Sequence, residues 1–204
     1  MTGLRAKHKA DRQRRILEVA ARQFREAGYE ATRIDAIAAE AEVSIGTIYN
    51  YYQNKGDILV AIVSMQVSDI LRAGQRIIEK PLASADKAID ALIAAYVDRS
   101  LAYLSKDMWR RAMATSTQQP DSPFGKTYNS FDHALMDQTC SLIAKLKDLG
   151  LVQCDVDSRG VGEMIFNNTN MMFIEFAKND SMQIKKLRAA IRRQNRTLVQ
   201  AIAV

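Results

Sequence analysis

Val43-Ser-Ile-Gly-Thr-Ile-Tyr-Asn-Tyr-Tyr-Gln-Asn-Lys55 reads as a turn that opens into a short helix displaying hydroxyls, an amide and a terminal cation. Ser44 stands where the chain must turn after the alanine-rich run ending near Ala41, and its hydroxyl is placed to accept from the backbone N–H of Gly46 or Thr47. Gly46 leaves the first helical turn bare, so a phosphate can approach backbone N–H groups at the positive end of the helix dipole. Ile48 and Tyr52 lie four apart and are expected to face a core. That turns Thr47, Asn50 and Tyr51 outward and leaves Tyr49 on the flank. An outward face of this kind suits nucleic acid.

Two more helices are expected upstream. Ile16, Leu17, Ala20, Ala21 and Phe24 make one apolar stripe that stops at Gly28, a residue suited to a left-handed cap. Thr32-Arg-Ile-Asp35 has the form of a capping box opening a second helix with Ile34, Ile37, Ala38 and Ala41. Three helices within about fifty residues, the last two joined by a short turn, make a helix-turn-helix domain whose final helix enters the major groove.

Residues 14 to 59 resemble the DNA-binding domain of the TetR family of transcriptional repressors. The run is Ile16-Leu17, Phe24, Gly28-Tyr29, Ala31-Thr32, Ile37-Ala38, Val43-Ser44, Gly46-Thr47, Tyr49, Tyr51-Tyr52, Lys55 and Leu59. The chain departs from the family pattern at Glu42, where the turn commonly has glycine, and at Gly56, where a helix former is usual. The resemblance implies a homodimer that binds a pseudo-palindromic operator and releases it when a small molecule occupies a C-terminal domain.

Each residue has a plainer reading on its own. Tyr49 and Tyr52 suit a core, Thr47 a bond back to its own helix, and Lys55 a solvated surface. Together, the cap, the glycine, the spacing and a basic approach segment point to DNA. Thr47, Tyr49, Asn50 and Tyr51 are the groove-facing candidates, Ser44, Gly46 and Lys55 face phosphate, and Thr32 with Arg33 meets backbone or a neighbouring base. Asn50 suits an adenine, whose N6 and N7 edge an amide bonds bidentately, and Arg33 a guanine.

Charge is distributed unevenly. Residues 1 to 25 hold eight Lys/Arg, Arg5 among them, against Asp11 and Glu18, and the last 24 residues hold six with no acid, while the stretch between is net −6. The first cluster reads as a polar, mobile arm for phosphate or minor-groove contact, the last as a solvated helix face.

With 48% apolar residues, three prolines and nine glycines over 204 residues, an all-α chain of about nine helices with a sizeable core is expected. The cationic start is unlike a signal sequence and no apolar run is long enough to span a bilayer, so the expected compartment is the cytoplasm, with no membrane partner. Cys140 and Cys154 lack metal-type spacing, and His8 and His133 are isolated. No catalytic group, metal site or cofactor is expected, and the chain does not read as an enzyme.

Residues 1–56 are expected to form the homeodomain-like DNA-binding domain and 57–204 a helical bundle for ligand binding and dimerisation. A helix from Asp57 to about Lys80 should link them, followed by helices at about 84–106, 107–117, 124–149, 158–179 and 182–203. The last two carry surplus apolar surface and resemble the family's dimerisation pair, with Asn195 set at a twofold contact. Tyr96, Ser100, Tyr103, Trp109, Phe124, Tyr128, Asn168 and Met172 are the candidate lining of an effector cavity. That lining suits a largely apolar or aromatic molecule fixed by a few hydrogen bonds. The rival readings are a helical ligand-binding or enzyme-like protein without operator binding, and a nonspecific nucleoid-type binder.

Overall fold

The computed structural model describes residues 2–204, with side chains from residue 6 onward. Among them are nine helices: α1 (Thr2–Glu26), α2 (Ile34–Glu40), α3 (Ile45–Tyr49), α4 (Lys55–Glu79), α5 (Ala85–Arg99), α6 (Lys106–Gln118), α7 (Pro123–Asp148), α8 (Ser158–Lys178) and α9 (Ile184–Ile202). The all-α architecture is the expected one, and the only extended pairing among these residues is a single antiparallel bridge between Val152 and Ala203.

Two compact units emerge, and neither is continuous in sequence. One comprises residues up to Met65 together with Tyr103–Tyr128; the other comprises Gln66–Ala102 and Asn129–Val204. Helices α4 and α7 each contribute to both units, and α6 belongs with the helix-turn-helix.

In the first unit, Ile16, Ala20, Phe24, Ile37, Ala38, Ile48 and Tyr52 are buried and hold α1, α2 and α3 together. Gly28 ends the first helical segment at φ +88, as its lack of a Cβ permits. The chain upstream is not an arm: residues from Thr2 onward are helical, because the run of Lys, Arg, Ala and Gln there has high helix propensity. The basic side chains from Lys7 onward therefore lie on a helix. The Arg5 side chain lies outside the described residues.

In the second unit, α5, α7, α8 and α9 bury Ile89, Leu92, Ile93, Leu142, Ile143, Leu146, Ile165, Phe176, Leu187, Ile191, Val199 and Ile202 in one core. Helices α7 and α8 approach so closely that a Cβ on Gly162 would sit 2.5 Å from the Cα of Cys140. Helix α5 stops at Arg99, seven residues before the expected end, which leaves Tyr103 and Leu104 in a connection. The Ser100 hydroxyl turns back to the Val97 carbonyl at 2.7 Å and Gln66 Nε2 satisfies the Arg99 carbonyl at 2.6 Å, so the helix end has partners without another turn. Ser105 then caps α6 by accepting from Met108 N.

The basic face of α9 is partly tied down rather than wholly solvated. Arg188 meets Asp98 at 3.0 Å, and Arg192 meets Asp90 at 2.6 Å and Asp86 at 3.7 Å, all on α5. Asn195 is buried within the chain, where its Oδ1 accepts from Asn168 Nδ2 at 2.7 Å. The buried apolar residues of α9 belong to its own chain's core, and Asn195 faces α8.

Candidate nucleic-acid interface

Helix α3 has only five residues and owes its position to three anchors. Ser44 caps it, with Oγ accepting from Thr47 N at 3.1 Å and lying 2.8 Å from Thr47 Oγ1. Ile48 and Tyr52 are buried beneath it. Asn50 and Tyr49 are exposed, Tyr49 by 52%, while Thr47 and Tyr51 are half-buried. Lys9 of α1 lies over the Tyr51 ring, 5.8 Å from its centroid.

The turn before α3 closes with the pattern that ends many helices in a left-handed residue. Glu42 N donates to Ala39 O at 3.2 Å and Val43 N to Ala38 O at 3.0 Å, with Glu42 at φ 51. The sequence puts a glutamate where glycine is usual, and the backbone still takes the conformation that glycine favours. The turn geometry is kept at a local conformational cost.

Thr32 requires a correction, because it neither caps α2 nor faces outward. It is only 4% exposed, and its hydroxyl is within hydrogen-bond distance of the Gly28 and Gln23 carbonyls, at 2.8 and 3.2 Å. The N-cap of α2 is Arg33, with no side-chain cap, and Asp35 accepts from Ala36 N instead. Burial of the apolar residues around Thr32 leaves its hydroxyl to the end of α1, which has carbonyls to spare. Arg33 is exposed and forms a bidentate pair with Asp35, Nε to Oδ1 at 3.0 Å and Nη2 to Oδ2 at 2.8 Å. That hydrogen bond holds the Asp35 carboxyl below its usual range.

Lys55 has structural work beside the phosphate contact expected of it. Its ammonium donates to the Tyr29 and Glu30 carbonyls at 3.0 and 2.9 Å and sits 4.9 Å from the Tyr29 ring centroid. From α6, Arg111 reaches the same place, with Nη1 2.6 Å from Glu30 Oε1 and its guanidinium carbon 5.2 Å from the ring centroid. Burial, and then the neighbouring Glu30, push the Tyr29 phenol up. Neither Tyr29, Glu30 nor Arg111 stands out in the sequence as a site residue, since the partners lie as much as 81 positions apart.

The eight candidate effector residues divide between the two units. Tyr103, Trp109, Phe124 and Tyr128 belong to the unit of the helix-turn-helix, with Trp109 and Tyr128 buried. Tyr96, Ser100, Asn168 and Met172 belong to the other. Tyr96 is buried, its hydroxyl 2.9 Å from Gln138 Oε1 and 3.3 Å from the Leu135 carbonyl, while Gln138 Nε2 donates to Leu71 O of α4 at 2.8 Å. The amide of Asn168 is engaged by Asn195, and Ser100 by its own helix. One polar group in this unit escaped the sequence reading: Asp132 on α7 is half-buried without a hydrogen bond or ion pair among the described residues, and burial pushes its pKa to about 6.

Among the described residues, no helix is long and apolar enough to cross a membrane, and no group of three His, Cys, Asp or Glu is placed to hold a metal ion.

Residues 16–62 match the model of the bacterial regulatory proteins of the tetR family. Over 84 residues the chain is 32% identical to the HTH-type transcriptional regulator YhgD of Bacillus subtilis, a match covering 41% of this chain and 44% of that protein. The chain therefore spans less than half the length of this curated relative. In fold, it resembles a putative TetR-family regulator from Mesorhizobium loti, with a TM-score of 0.74 at 19% identity, over 96% of this chain and 98% of that one. The transcriptional regulator FadR of Bacillus subtilis, solved with stearoyl-CoA, gives a TM-score of 0.67 at 21% identity, over 92% and 98% of the two chains. The helix-turn-helix segment is thus matched in sequence to the tetR family of bacterial regulatory proteins, and the whole all-helical chain is matched to such regulators in fold.

Proposed function

We propose that the chain is a homodimeric repressor that reads a palindromic operator through α3 and releases it when a small molecule binds the helical bundle. The observation that carries the DNA reading is the state of α3. It is capped and anchored on one side, while Tyr49 and the Asn50 amide stand exposed on the other. A short helix fixed by its neighbours presents base-reading groups with little left to order on binding. Asn50 reads the preferred base, Thr47, Tyr49 and Tyr51 line the groove, and Ser44 and Gly46 meet phosphate. Arg33 reaches an adjacent base or phosphate once its fork leaves Asp35.

Dimerisation is supported by α8. Met164 and Met171 are 60% and 57% exposed, seven positions apart on one face. The basic, tethered outer face of α9 offers no such apolar area, so α8 supplies the centre of the contact. The solved relative with stearoyl-CoA favours an effector with a long apolar part, and the aromatic and methionine candidates suit one. The compartment this reading implies is the cytoplasm.

Selection of bound sequences from random DNA tests the reading. A palindromic consensus is the expected result. Asn50→Ala should lose about 1–3 kcal/mol on that consensus and little on random DNA in a mobility shift at fixed salt. Equal loss on both would remove Asn50 from base readout, and failure to enrich any sequence would remove the repressor reading itself.

A further inference from the structure

We propose that the groove between α5 and α9 is a binding site for a small carboxylic acid with a short apolar body. None of its residues is assigned to DNA, so the site stands or falls apart from operator binding.

The groove is a cavity of about 280 Å³. Its floor is apolar: Ile93 of α5 and Ile191 of α9 are buried, and Ala94 and Ala189 are too short to fill the space between the two helices. Cavities that take small molecules start at about 300 Å³, so this one suits a molecule of the size of hexanoate or benzoate and not a long chain.

The rim favours an acid. Lys185, Arg188 and Arg192 of α9 line it against a single carboxylate, Asp90 of α5. Carboxylates of α5 hold both guanidiniums in place without exhausting them: Arg188 donates to Asp98 through Nη1 at 3.0 Å, and Arg192 meets Asp90 through Nε at 2.6 Å. A guanidinium carries five N–H groups in a fork that fits a carboxylate, so each keeps donors for a further acceptor.

Asn195 distinguishes this groove from a helix face that is merely solvated. It is only 7% exposed, and its Oδ1 is taken by Asn168 Nδ2 at 2.7 Å. Its own Nδ2 has no hydrogen-bond partner among the described residues, although the side chain borders the cavity. A buried donor without an acceptor is costly, and a carboxylate oxygen in the groove supplies one.

Calorimetric titration of the full-length protein with hexanoate and benzoate, against hexanamide and benzamide, tests the site. Both acids should bind saturably and the amides at least roughly tenfold more weakly, the scale of one charge-assisted hydrogen bond. Arg188→Gln should erase that preference. Ala189→Leu, at an exposed position of α9, fills the groove without entering the core, so it should abolish binding of the acids while keeping the melting midpoint of the free protein. The site is overturned if neither acid saturates by about 10 mM, or if the amides bind as well as the acids. It is equally overturned if Ala189→Leu binds them as tightly as wild type, which would put the acid in another cavity. Competition by inorganic sulfate as strong as that by hexanoate would leave only a charged patch, with no part for the apolar floor.

Discussion

Helices α2 and α7 end in the same hydrogen-bonded motif, yet one places Glu42 and the other Gly150 at its left-handed position, with φ 51 and +69. The regions that follow differ in the same sense. Helix α3 is five residues long and depends on Ser44, Ile48 and Tyr52, whereas α8 and α9 span 21 and 19 residues over a broad shared core. In the helix-turn-helix, polar groups are either spent on nearby backbone, as Thr32 is, or left outward, as Asn50 is. In the bundle they pair across helices, as Tyr96 does with Gln138 and Asn168 with Asn195. The comparison teaches that α3 keeps its place through a few anchors, while the bundle helices hold one another over a broad shared core.

The largest expected effect tests that thin support. Ile48→Ala removes one of the two buried side chains beneath α3 and should cost about 2–5 kcal/mol, abolishing specific operator binding. Ile191→Ala in the bundle has similar chemistry but many more supporting neighbours. If thermal melts and mobility shifts showed equal loss of operator binding for both, the contrast between the two regions would fail.

Asp132 is the exception within the bundle and gives the next effect. Its folded pKa of about 6 lies above the ordinary carboxyl value of 3.8, so the folded state binds the proton more tightly and stability falls as pH rises between those values. Asp132→Asn should therefore stabilise the protein by about 1–3 kcal/mol above pH 6 and leave it unchanged below pH 4. Melting curves at pH 4 and pH 7 check the sign; an equal shift at both would show that the carboxylate is not held unfavourably.

The smallest effect returns to the two turns. Glu42→Gly relieves a left-handed non-glycine residue whose side chain is exposed, and the relief outweighs the added freedom of the unfolded chain. A gain of about 0.5–1 kcal/mol is expected in denaturant titration. Gly150→Ala should lose a similar amount. A destabilised Glu42→Gly would mean that the Glu42 carboxylate, 3.9 Å from Arg15, matters more than its backbone.

What the residues reveal unaided is the part of the molecule governed by interactions within a few positions. Ser44 as a cap, Gly28 and Gly150 as stops, the inward Ile48 and Tyr52 and the all-helical bundle follow from periodicity and capping, which act over i to i+4. The same local rules miss wherever a distant partner competes. Thr32 has the spacing of a capping box, but burial gives its hydroxyl to the end of α1. Helix α5 has the apolar pattern to continue, but Gln66 takes its last carbonyl. Lys55 finds acceptors 26 and 25 positions away, and Arg111 finds Glu30 at 81, so their roles depend on where the whole chain runs. The sequence alone determined the all-helical class, most helix positions and the Ser44 cap, because those are properties of single turns. Only the tertiary structure decided how Thr32, Lys55 and Arg111 are paired and that α6 joins the unit of the helix-turn-helix, because burial and pairing are settled between segments that no local pattern connects.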